Sequence, residues 1–119
     1  MLAAIALAPA SLTGHWSYVQ FDQAHHISAR GDLTIRFANG RYSGSKSVKQ
    51  NRPNAPRETG LINVTLDKLK VWIDLNAGMA DNNIFLDGVL RGNKVTGTWG
   101  HSTFAGIRER GTFVMERKP

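Results

Sequence analysis

Apolar and polar residues alternate with a period of two along most of the chain. Leu33, Ile35 and Phe37 share one face of such a run, and Ile62, Val64 and Leu66 share another. Val71, Ile73 and Leu75 repeat the pattern, as do Phe113 and Met115. Successive side chains of a strand point to opposite faces, so the pattern predicts strands with one buried side. Eight segments emerge between turn signals, at roughly 12–21, 28–38, 41–48, 60–68, 69–76, 83–91, 94–104 and 107–117. Asn39-Gly40 and Gly92-Asn93 tolerate positive φ, as two-residue hairpins demand, and Leu66-Asp67-Lys68-Leu69 reads as a further short turn. Each apolar run is too short and too broken by glycine for a helix. The chain therefore reads as an all-β, up-and-down antiparallel meander. Closing it into an eight-stranded barrel removes both exposed edges. A two-sheet sandwich is the competitor.

One phrase occurs twice. Leu12-Thr13-Gly14-His15-Trp16 is followed by Phe21, and Val95-Thr96-Gly97-Thr98-Trp99 by Phe104 at the same offset. Glycine lets a strand bend and leaves room beside it, and a tryptophan two residues on points to the same face and can fill that room. If odd strands run from floor to mouth, Trp16 and Trp99 are expected at matching depth, plugging the floor. Phe37 and Met115, late in even strands, are expected near them. The polar inward residues, Tyr18, Gln20, Lys46, His101 and Glu109, then fall near the mouth, below loops 22–27, 47–59, 77–82 and 104–106.

Charge adds an asymmetry. The 119 residues carry 15 Lys+Arg against 9 Asp+Glu, a formal +6. Arg41, Lys46, Lys49, Arg52 and Arg57 stand in residues 41–57 without an acid, so one rim is basic. Such a rim attracts a carboxylate or phosphate, unless it is simply a solvated loop. Nucleic acid ranks below small anions, because loop 47–59 lacks aromatics to stack bases. With no cysteine, disulfides, thiolate metal sites and thiol catalysis are excluded. Residues 1–10, ending Ala8-Pro9-Ala10, read as a truncated signal-peptide remnant, and residues 11–119 as one β-barrel domain. A cleaved signal would make the protein secreted or periplasmic. No stretch reaches the roughly 18–20 apolar residues of a membrane-spanning helix.

The motifs for chemistry are sparse. His101 and Glu109 share the inward face of neighbouring strands and form the tentative acid–base pair; a solvated cross-strand pair is the plainer reading. Gly100-His101-Ser102-Thr103-Phe104 lacks the second glycine and the strand-to-helix turn of a nucleophile elbow. His25-His26 are adjacent and would point apart if extended, so no metal site and no cofactor is expected. Asn63-Val64-Thr65 matches a glycosylation sequon by chance inside a strand. On the outward face, Trp72, Phe85 and Val89 make an apolar patch that could seat a homodimer partner, provided the strand parity is not slipped by one.

The Gly14-x-Trp16 pair, Tyr42-Ser43-Gly44-Ser45, Gly97-Thr98-Trp99 and the ending Gly111-Thr112-Phe113 resemble the calycin superfamily, lipocalins and avidin-type barrels. They also resemble lipocalin-like accessory domains of secreted bacterial proteins. The resemblance implies a small ligand-binding barrel. The chain departs from lipocalins in lacking a T-D-Y motif and a C-terminal helix. It departs from avidins in carrying Gly111 where an acid precedes the final T-F, and it lacks their ring of tryptophans, so biotin is not the expected ligand.

The expected function is binding of a small amphipathic, anionic ligand in the barrel cup. Leu33, Ile35, Val64, Ile73 and Leu86 would hold its apolar body, and Tyr18, Gln20, Lys46 and His101 its polar end. An interaction, inhibitor or accessory module using the outer face and basic loop is the second reading. A cofactor-free cyclase or isomerase acting on an apolar substrate is the third.

Overall fold

The computed structural model describes residues 11–51, 60–78 and 83–119, with the side chain of Arg108 excepted. The N-terminal decapeptide and the basic positions Arg52 and Arg57 lie outside the described residues.

Eight strands follow one another: β1 Gly14–Phe21, β2 Ile27–Ala38, β3 Arg41–Gln50, β4 Leu61–Asp67, β5 Lys70–Asp74, β6 Asn83–Arg91, β7 Lys94–Thr103 and β8 Gly106–Arg117. Each pairs antiparallel with the next, and β8 pairs with β1, so the sheet is a closed up-and-down barrel. The sandwich is thereby excluded. The turn residues act as their chemistry requires. Asn39, Gly40, Lys68 and Gly92 all adopt positive φ in the tight hairpins that follow β2, β4 and β6. Lys68 bears a side chain at φ 56°, a conformation that costs more for it than for the asparagine or glycines.

Alternation sets the interior. Trp16, Tyr18 and Gln20 on β1, Leu33 and Ile35 on β2, and Ile73, Leu86 and Phe113 farther round are all at most 1% exposed. Outward neighbours such as Arg30, Arg36 and Lys49 are exposed. Trp72 and Phe85 point outward, as the parity of their strands demands.

Register overturns the expectation that the two repeated tryptophans plug one end. The ladders link Phe37, Tyr42, Val64, Ile73, Leu86, Trp99 and Gly111 along one path around the barrel. Phe37 lies two positions beyond Ile35, the partner of Gly14, and Gly111 one position beyond Thr112, the partner of Phe21. The path thus leaves β1 at the level of position 12 and returns at position 22, a stagger of ten residues. Equal distance from a glycine therefore does not mean equal depth. The Trp16 indole donates to the Leu12 carbonyl at 2.9 Å, below the start of β1. The Trp99 indole donates to the Phe21 carbonyl at 2.7 Å, at the end of β1. The indoles anchor at opposite ends of that strand.

A further expectation fails with this one. Phe37 is 56% exposed, lying past the packed section with its ring edge-on to Tyr42 at 4.9 Å. Phe104, which completes the second copy of the phrase, sits in the β7–β8 turn and is 88% exposed. The repeat in sequence is not a repeat in space.

Gly111 is the counterpart of the Trp99 anchor. A Cβ there would overlap the Phe21 carbonyl oxygen and lie 2.7 Å from Trp99 Nε1. Replacing Gly111 by alanine should therefore destabilise the barrel by about 1–3 kcal/mol, the usual range for overpacking. Urea unfolding checks this, with a lowered midpoint as the expected outcome.

Candidate functional site

At the end of the barrel where the odd strands finish, the interior becomes polar. Tyr18 Oη donates to Gln20 Oε1 at 2.6 Å. Gln20 Nε2 in turn donates to Ser28 Oγ at 3.0 Å and to Gln50 Oε1 at 3.2 Å. Across the barrel Lys46 Nζ donates to Asn76 Oδ1 at 3.4 Å, and Asn76 is fully buried. His101 and Glu109 are direct partners in the β7–β8 ladder, just before a register shift between His101 and Ser102. His101 is buried and Glu109 half-buried. The expected polar end thus exists as a place.

It is tightly occupied by the protein itself. Tyr18, Gln20, Leu33, Ile73 and Leu86 have no accessible surface, and Ile35 has 1%. A side chain beside a water-sized space would show some. A guest held by these six residues would therefore have to push them apart, against the cost of disturbing a close-packed core. Val64, at 7%, and half-buried Lys46 face the same interior and keep some access to solvent. Buried polar groups in such a core are held by their mutual hydrogen bonds.

A cavity lies on the outside of the barrel. It is a groove of about 810 Å³ across β5, β6, β7 and β8, walled at one side by the β1–β2 turn. Its apolar wall is Trp72 stacked on Phe85, with ring centroids 5.1 Å apart and planes at 26°. Trp72 remains 41% exposed. Two cross-strand rows make the floor. One runs Trp72, Asp87, Thr98, Thr112, and the other runs Phe85, Gly100, Arg110. Strand alternation puts all of these side chains outside. Ile107 and Ser102 extend the lining toward the β7–β8 turn.

The turn wall is built locally. His26 N donates to Asp22 Oδ1 at 2.9 Å, and backbone bonds between Asp22 and His26 and between His25 and Asp22 close the hairpin. His25 adopts φ 69° and packs its ring against Phe21 at 5.3 Å. Asp22, Gln23 and His25 thereby face the groove.

Of the outward trio expected from sequence, Trp72 and Phe85 line this groove, whereas half-buried Val89 lies one ladder step away, opposite Lys70. Sequence reading missed Thr98, Gly100, Ser102 and Arg110. The signal was present, since they occupy the outward parity beside Trp72 and Phe85. They form no contiguous motif. Among the described residues, no group of three or more histidines, cysteines or carboxylates gathers to hold a metal, and no helix is long and apolar enough to cross a membrane.

Comparison of the chain with models of known families, with curated proteins and with solved structures returned no match.

Because Tyr18 and Gln20 serve the core, Tyr18→Phe should cost about 1–3 kcal/mol by removing the hydroxyl that donates to the buried Gln20 Oε1. Thermal or urea unfolding of the variant checks this.

Proposed function

We propose that this protein is a non-catalytic binding module that takes its ligand on the outer groove over β5–β8 rather than in the barrel cup. One observation carries the reading. Tyr18, Gln20, Leu33, Ile35, Ile73 and Leu86, six of the interior side chains expected to hold a guest, are at most 1% exposed, while the stack of exposed Trp72 on half-buried Phe85 borders a groove of about 810 Å³. That volume lies within the range of small-ligand sites, roughly 300–1,000 Å³. An exposed aromatic pair offers a large apolar contact area at little conformational cost, and the surrounding hydroxyl and charged groups fix orientation. The closed eight-stranded plan supports a calycin-like scaffold, here used from its outer side. The preferred ligand presents a flat apolar face with hydrogen-bonding groups at its edge.

A screen of ring-bearing fragments against the ¹⁵N-labelled protein tests the proposal. The expected shifts gather at the amides of Thr98, Gly100 and Ser102 and at the Trp72 indole. Trp72→Ala is expected to weaken the fragments that bind by at least tenfold while preserving the amide spectrum of β1–β4. Shifts gathered instead at Tyr18, Gln20, Leu33 and Leu86 would return the site to the cup and contradict the proposal.

A further inference from the structure

Gly100 has no structural reason to be glycine. The chain contains twelve glycines. Gly14, Gly40, Gly60, Gly78, Gly92 and Gly106 adopt positive φ, where L side chains are strained. At Gly31, Gly44, Gly88, Gly97 and Gly111 an added Cβ would lie within 3.0 Å of neighbouring atoms. Gly100 belongs to neither group. A Cβ there would meet Ile107 Cγ2 at 3.5 Å and the Glu109 carbonyl at 3.9 Å, ordinary contact, on a backbone outside the left-handed region. Glycine inside a strand weakens it, and commonly marks a place where a ligand or another backbone comes close. Gly100 lies on the groove floor between Phe85 and Arg110, which stand two strand spacings apart, roughly 10 Å, with no side chain between them.

The chemistry of the walls narrows the occupant. Although the chain is basic, the groove carries Asp22 and Asp87 against Arg110, so it offers no excess of positive charge to an anion. Asp87 accepts hydrogen bonds, Arg110 donates them, and Thr98, Ser102 and Thr112 do both. Such a set matches a ligand dense in hydroxyls and uncharged. The Trp72–Phe85 stack asks of the same ligand an apolar ring face. A saturated sugar ring has both properties, with hydroxyls at its rim and C–H groups on its faces. The groove's open course along the outer sheet suits a chain of them.

Resting on the outer-groove reading, we infer that the occupant is an unbranched neutral glycan, one ring of which stands on edge over the β7 backbone at Gly100, between Phe85 and Arg110. Its C–H face meets Phe85 and Trp72, and its hydroxyls reach Asp87, Arg110 and the flanking Ser and Thr side chains. Gly100 is then a specificity-determining position, because any side chain there occupies the plane of the ring.

The test is an array of unbranched neutral and acidic oligosaccharides, followed by calorimetry on the best neutral binder with wild type, Gly100→Ala, Gly100→Val, Trp72→Ala and Arg36→Ala. At least one neutral chain should bind. Gly100→Val and Trp72→Ala should each weaken it at least tenfold, Gly100→Ala several-fold, and Arg36→Ala, on the outer face of β2, not at all. Gly100→Ala should melt at or above the wild-type temperature, so its loss of binding is not a loss of fold. Fragment shifts in the groove without any neutral glycan binding would overturn the glycan and leave the groove. Shifts in the interior would overturn both. Binding confined to acidic chains would overturn the inference. So would full affinity in Gly100→Ala and Gly100→Val, or a stable dimer by sedimentation that conceals Trp72.

Discussion

The structure depends on the seam between β1 and β8, where the last strand returns to the first. Trp16 to Phe21 pair there with Arg117 back to Thr112, and no edge strand is left. Arg117 holds the lower end of that seam. Its guanidinium lies 4.3 Å over the Trp16 ring, its Nε donates to Asn93 Oδ1 at 3.1 Å, and its Nη atoms donate to the carbonyls of Thr13 and Ser11. One side chain thus ties the segment before β1, the β6–β7 turn and the end of β8 around a single indole. Lys118 continues the closure, its backbone N–H donating to the His15 carbonyl at 2.8 Å and its ammonium 2.5 Å from Asp32. These last contacts are exposed and contribute little alone. The stack of half-buried Arg117 on the buried Trp16 ring contributes more, since partial desolvation strengthens a cation over a ring.

Closure dictates where chemistry can reside. An eight-stranded barrel is just wide enough to be filled by its own side chains or to hold one small ligand. Here Trp16, Tyr18, Phe113 and Met115 from the seam strands meet Leu33, Ile35, Ile73 and Leu86 from the rest of the ring. The polar cluster of Tyr18, Gln20, Ser28 and Gln50 at one end satisfies groups that could otherwise have met a ligand. With these inward positions committed to packing, the outward positions of β5–β8 are, among the described residues, the ones that line a groove. The Trp72–Phe85 stack there is exposed at a cost that the fold itself does not require.

Much of the fold was legible because alternation is a local signal. All eight segments were read within a few residues of their ends, since a buried face must alternate and a tight turn must tolerate positive φ. Depth was not legible. Trp99 was placed beside Trp16 from matching phrases, but the ten-residue stagger belongs to the whole ring and no local pattern encodes it. Phe37 and Phe104 kept the right parity or spacing yet lay beyond the packed section. The outward direction of Trp72 and Phe85 was legible from parity. Their groove was not, because Gly100, Ser102 and Arg110 approach them only through pairing across three strands. Gly100 in particular read as a fragment of a failed catalytic motif, and its meaning depends on what an added Cβ would touch.

The central claim is a closed ring over a filled interior with its recognition surface outside, and the three tryptophans report on it directly. Acrylamide quenching of single-tryptophan variants, each retaining one of Trp16, Trp72 and Trp99 with phenylalanine at the other two positions, measures solvent access at the floor, the outer face and the opposite end. The account predicts efficient quenching of Trp72 alone, with Trp16 and Trp99 shielded. Quenching of Trp99 or Trp16 comparable to that of Trp72, in a variant that keeps its β-sheet circular dichroism, would contradict it.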